Sequence, residues 1–220
     1  MTRAALPALT LLLVACGGEA PAPAAPAPAA APAAAAPAAP PACTYTADVA
    51  AVTVGWKAFK FTEKTGVGGG FSAVTVAGAK GAPAAHSALD GLSFEIATSA
   101  VDSKNPDRDK KILEQFFGTM KETTALKGSL AVTGPDAGTL TVTMNGATHP
   151  VPVKLVVEGE TLKLNGALDV TTWGAGPAIN ALNKVCEDLH KGADGVSKLW
   201  PDVEISAVVP LKKDCGPAAG

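Results

Sequence analysis

Between residues 44 and 212 the chain alternates apolar and polar positions with a period of two, and changes to a helical period in two places. The cleanest alternation runs through residues 139–145. Leu140, Val142 and Met144 share one face, and Thr139, Thr141 and Thr143 share the other. This run reaches Asn145-Gly146, the strongest short hairpin signal, and resumes at Val151 and Val153. Leu92, Phe94 and Ile96 alternate with Ser93, Glu95 and Ala97 in the same way. Segments 45–61, 71–76, 124–133, 151–157, 161–172 and 200–212 complete the predicted strands. Within the first of these, parity passes from Val52, Val54 and Trp56 to Phe59 and Phe61, which implies a bend with a bulge near Ala58. The run GVGGG at 66–70 is predicted to be a turn, 77–90 a loop, and Glu158-Gly159 the start of a tight hairpin. Roughly eight strands with near-consecutive connections predict an all-β fold, an up-and-down antiparallel barrel.

Two helices interrupt the strands. Residues 106–117 have Asn105 as N-cap, Pro106 at the first helical position, and Asp107 and Asp109 near the positive end of the helix dipole. Ile112, Leu113, Phe116 and Phe117 then form an apolar stripe. Residues 178–191 set Ile179, Leu182, Val185, Cys186 and Leu189 on one face, against Asn183, Lys184, Glu187 and Lys191.

Ser99, Asn105, Arg108-Asp109 and Phe116-Phe117, followed by Gly138, Leu140-Thr141, Gly146, Thr148 and Pro150-Val151, make two motif segments. Together they resemble the YceI-like family, with its S-x-x-x-x-N…RD…FF loop and G-x-L-T-x-x-G-x-T-x-P-V hairpin. The resemblance implies a lipocalin-like barrel holding a long isoprenoid or quinone-like chain as ligand. Its lining is expected from Trp56, Phe59, Phe71, Phe94, Leu140, Met144, Leu164, Trp173 and Ile205. The family's N-R-S-D-[FY]-G segment corresponds here to residues 169–174, which keep the aromatic Trp173 and Gly174 but not the Arg-Ser-Asp. What carries over is therefore the apolar slot rather than a head-group site.

The chain before the strands has a different character. Arg3, an apolar stretch over 6–15 and Leu13-Val14-Ala15-Cys16 look like a lipoprotein signal peptide (1–15) with Cys16 as the lipidated residue. About ten apolar residues fall well short of the ~20 a spanning helix needs. Gly17 stands where an aspartate retention signal would, which points to a periplasm-facing lipoprotein of the outer membrane. Residues 16–42 are the lipidated cysteine and an Ala/Pro-rich linker, expected to stay extended and disordered because Pro interrupts any helix and no large apolar side chain is present. The barrel domain is then 43–216, with a short tail at 217–220.

Net charge is -2 with both signs interspersed, so no basic stripe suggests nucleic acid. With Cys16 lipidated, Cys43, Cys186 and Cys215 remain. In an even-stranded antiparallel barrel the first and last strands are neighbours, which favours a Cys43–Cys215 bridge over the competing Cys186–Cys215. His86, His149 and His190 stand in no nucleophile–base arrangement, and no G-x-S-x-G elbow occurs. Cys186 and His190 share a helix face but lack the further ligands that a zinc site needs. No metal, cofactor or catalytic residue is therefore expected. The sequence leaves two readings open: non-enzymatic binding of an apolar lipid, or an interaction module with a side-chain-filled barrel whose 178–191 helix docks a protein.

Overall fold

A computed structural model describes residues 42–216. The expected signal peptide, Cys16, the expected linker through residue 41 and the tail 217–220 lie outside the described residues. Eleven strand segments form one antiparallel sheet: β1 (Cys43–Ala47), β2 (Thr53–Lys60), β3 (Thr65–Phe71), β4 (Thr75–Ala77), β5 (Ser93–Ala97), β6 (Val101–Asp102), β7 (Ala125–Val132), β8 (Ala137–Met144), β9 (Ala147–Glu158), β10 (Thr161–Asp169) and β11 (Leu199–Cys215). From β5 to β3 the order is β5-β7-β8-β9-β10-β11-β2-β3. The two ends of this path meet at a broken seam. There β3 pairs with β6 through Phe71↔Val101, and β4 pairs with β5 through Val76↔Phe94. Ser72 N donates to Ala100 O between them. Because β3–β4 and β5–β6 are each one run with a short interruption, as is β1–β2, the eleven segments amount to the eight strands expected from the alternation.

Local chemistry explains where the elements stop. Asn145 and Gly146 both adopt positive φ, 52° and 72°, in a two-residue turn between β8 and β9. The residues after β2 turn the chain with Phe61 at φ 62° and Lys64 at φ 58°. The GVGGG run is consequently not the turn expected of it. It lies in β3, in regular register with β2 through Trp56↔Gly69 and Phe59↔Gly66. The expected bulge at Ala58 is likewise absent from β2. Instead the break in pairing lies across from it in β11, between Leu199 and Val203.

Helix α1 (Pro106–Lys111) begins as its sequence suggests, with Asn105 Oδ1 accepting from Arg108 N at 3.0 Å; such a cap contributes about 1 kcal/mol. Asp109 Oδ1 accepts from Ser103 N at 2.8 Å and fastens the preceding loop. Arg108 enters no ion pair among the described residues. The helix then widens into a π turn, Ile112–Phe116. Helix α2 (Gly176–Val185) is shorter than the 178–191 run of apolar periodicity, because Cys186 leaves helical geometry at φ -115°, ψ 19°.

The bridge between Cys43 and Cys215 joins directly opposed residues of β1 and β11 with a Cα–Cα distance of 4.0 Å. Cys186 is a free, buried thiol, so the competing pairing does not form. Leu89 and Leu162 are the largest wholly buried side chains. They belong to one core cluster that also takes in Val151, Val153 and Leu155 of β9 and Val209 and Leu211 of β11.

Candidate functional site

Strand alternation sends every second side chain inward, and these inward faces do not all meet. On β2 they include Val54 and Trp56; on β11, Val203, Ile205 and Ala207. On β8 and β10 they include Leu140, Met144 and Leu164. Together they enclose a cavity of about 250 Å³, near the lower bound of small-molecule sites at roughly 300 Å³. Many of the lining residues remain partly accessible despite pointing into the barrel. Inward residues of β9 behave differently. Val151, Val153 and Leu155 are buried but do not line the cavity, which therefore lies away from that strand.

One end of the cavity is covered by helices. In the π turn, residues four apart fall nearly in line, and Ile112 and Phe116 both face the cavity. Ile179 and Leu182 of α2 join them. Trp200 also lines the cavity, and the ammonium groups of Lys64 and Lys198 lie 5.0 Å and 4.6 Å from its ring centroid.

The lining is almost wholly hydrocarbon. Among the described residues no charged side chain lines it, and Ser93 and Ser206 are the hydroxyl-bearing ones. The indole N–H groups are already used. Trp56 Nε1 donates to Gly70 O at 3.1 Å, and Trp200 Nε1 to Phe61 O at 2.7 Å. Among the described residues no buried side-chain polar atom lacks a partner. Beyond the two serine hydroxyls, a polar guest would thus lose its water without gaining hydrogen bonds, whereas an apolar tail gains roughly 25 cal/mol per Å² buried.

His190 lies beyond this helical end, with Nδ1 2.9 Å from Asn183 Oδ1. Burial first, then the ammonium groups of Lys60 and Lys111, pushes its imidazole down to about 4, so it is uncharged at neutral pH. Among the described residues no group of three or more His, Cys, Asp or Glu side chains is placed to hold a metal ion.

The family model of the YceI-like domain matches residues 45–211. The chain belongs to the YceI-like family. Among solved structures, a polyisoprenoid-binding domain from Saccharophagus degradans, implicated in plant cell wall breakdown, is similar at 11% identity with a TM-score of 0.53. The match covers 78% of this chain and 98% of that one. At that identity the likeness shows the fold alone. BcnA from Burkholderia cenocepacia matches at 15% identity and a TM-score of 0.47, over 76% of this chain and 99% of its own. A Campylobacter jejuni YceI protein matches at 13% and 0.43, over 72% and 90%. No curated protein matches the chain.

Within this YceI-like barrel, Trp56, Phe71, Phe94 and Leu140 line the cavity, together with Met144, Leu164 and Ile205. Two residues expected beside them do not. Phe59 is on the outer face, since β2 keeps its alternation through Ala58 and Lys57 and Phe59 share a side. Its ring is covered there by the ammonium groups of Lys57 at 5.1 Å and Lys64 at 5.3 Å. Trp173 is buried in the core but outside the lining. Its Nε1 donates to Val142 O at 3.0 Å and its ring meets His149 edge-on at 5.2 Å, closing the β8–β9 end of the YceI-like barrel. The lining contributed by Val54, Val142, Val203 and Ala207 was not singled out from the sequence, although the parity of Trp56, Leu140 and Ile205 already pointed to it.

Proposed function

We propose that this protein holds a long apolar, isoprenoid-like lipid in its barrel and carries it without chemical change. The supporting observation is the hydrocarbon lumen, in which, among the described residues, no charged side chain lines the wall and no indole N–H is left to pair. Such a lumen accepts the tail and leaves any polar head group near the helical end. The polyisoprenoid-binding domain of S. degradans has a similar fold, which fits this reading. An interaction module with a side-chain-filled barrel has less support, because the lumen is not filled and Ile179 and Leu182 of α2 turn toward it.

We further infer that Cys16 is acylated and tethers the barrel, through the Ala/Pro-rich segment, to the periplasmic side of a bacterial outer membrane. Replacing Cys16 with Ser should release the protein from membranes into the soluble fraction on cell fractionation; continued membrane association would remove the tether. Native mass spectrometry of the full-length protein, purified in mild detergent, tests the carrier role. A co-purifying polyprenyl or quinone mass is expected, and repeatedly empty spectra would count against it.

A further inference from the structure

Two glycines in strand interiors occupy positions where the cavity wall would otherwise be thicker. Gly69 of β3 is paired with Trp56 of β2, and the indole lies across it. A Cβ at Gly69 would overlap Trp56 Cζ2, would stand 2.7 Å from Cε2, and would come within 3.0 Å of Asp102 O. Gly128 of β7 repeats the arrangement with its partner Phe94 of β5. A Cβ there would stand 2.6 Å and 2.7 Å from ring atoms Cε1 and Cζ and would overlap the Thr141 carbonyl. Approaches this short are essentially never seen for a real Cβ.

Aromatic side chains laid over cross-strand glycines are a recognised way to stabilise a strand that glycine weakens. Here the consequence falls on the lumen. Trp56, Phe71 and Phe94 come from neighbouring strand runs and form one aromatic wall, opposite the aliphatic Leu140, Met144 and Leu164. With no Cβ beneath them, Trp56 and Phe94 are recessed into the sheet rather than projecting across the cavity. Trp56 is also held in that pose by its bond to Gly70 O.

We propose that Gly69 is a specificity-determining position, a recess that fixes how broad a tail the lumen accepts by setting how far the Trp56 ring stands from the wall; at Gly128 the Thr141 carbonyl already demands glycine. The inference rests on the lumen being a tail-binding site. Gly69→Ala displaces the indole into the cavity, whereas Trp56→Leu removes the ring and leaves the recess unused.

The test uses the full-length protein and displacement of cis-parinaric acid fluorescence by a long polyprenol and by a sterol. Polyprenol affinity should fall at least about tenfold in Gly69→Ala and return to within about threefold of wild type in Trp56→Leu/Gly69→Ala. Trp56→Leu alone adds no atom at position 69 and should bind the sterol at least about tenfold better than wild type. Should Gly69→Ala fail to fold, this single variant decides the matter, and sterol binding unchanged from wild type overturns the proposal. Equal polyprenol affinity of wild type and folded Gly69→Ala overturns the specificity role while leaving lumen binding intact. A folded double variant that stays weak does the same. Wild type that binds neither probe nor polyprenol overturns lumen binding, and this inference with it.

Discussion

Replacing Ala207 with Trp should nearly abolish tail binding and leave the melting temperature almost unchanged. Ala207 sits midway along β11, paired with Leu164 of β10 on one side and Val54 of β2 on the other. All three face the cavity, and Ala207 is the smallest of them. An indole added there extends into vacant space. Overpacking a filled core costs about 1–3 kcal/mol because neighbours must move, and the empty lumen removes most of that penalty. For the ligand, exclusion of on the order of 100 Å² of tail forfeits about 2.5 kcal/mol at ~25 cal/mol per Å². That corresponds to roughly a 70-fold loss of affinity. Fluorescent-probe displacement measures the binding and circular dichroism follows the melting. Near-wild-type affinity in a folded Ala207→Trp protein would mean that the tail lies somewhere other than in the lumen.

The parts of this design that sequence could reveal are the ones governed by local rules. Asn145-Gly146 must form its turn because both residues take positive φ. Asn105 and Pro106 start their helix because each answers the needs of unsatisfied N–H groups in the first turn. Alternation assigned an inner face to most strands, and with it Leu140, Met144, Leu164 and Ile205. The errors arose where a residue's role depends on its cross-strand partner. GVGGG has the composition of a turn, but Gly69 within it is needed under Trp56, its cross-strand partner thirteen residues earlier in the chain. An inward Phe59 requires a bulge that β2 does not contain; the irregularity belongs to β11, more than a hundred residues away. Trp173 follows the last regular pair of β10, so strand parity no longer predicts its direction. The vacancy itself was not legible. Alternation says which way a side chain points, whereas emptiness depends on whether opposite walls come close enough to touch.

The second large effect concerns stability rather than binding. Replacing Cys43 and Cys215 together with Ser should lower the stability of the oxidised protein by about 3–5 kcal/mol. The bridge spans 172 positions, so opening it restores much chain entropy to the unfolded state. At about 2–4 °C per kcal/mol for a domain of this size, the melting temperature should drop on the order of 10 °C. Reductant should bring wild type down to the same point and leave the double variant where it is. Cys186 provides the control: Cys186→Ala, which removes a buried free thiol, should remain as sensitive to reductant as wild type. A double Ser variant melting within about 2 °C of the oxidised wild type would show that the bridge contributes little. Tail affinity measured well below either transition should be unaltered, since the bridge ties β1 to the end of β11 and no β1 residue lines the cavity. The disulfide thus secures the strand run that closes the barrel while the chemistry of the lumen stays independent of redox state.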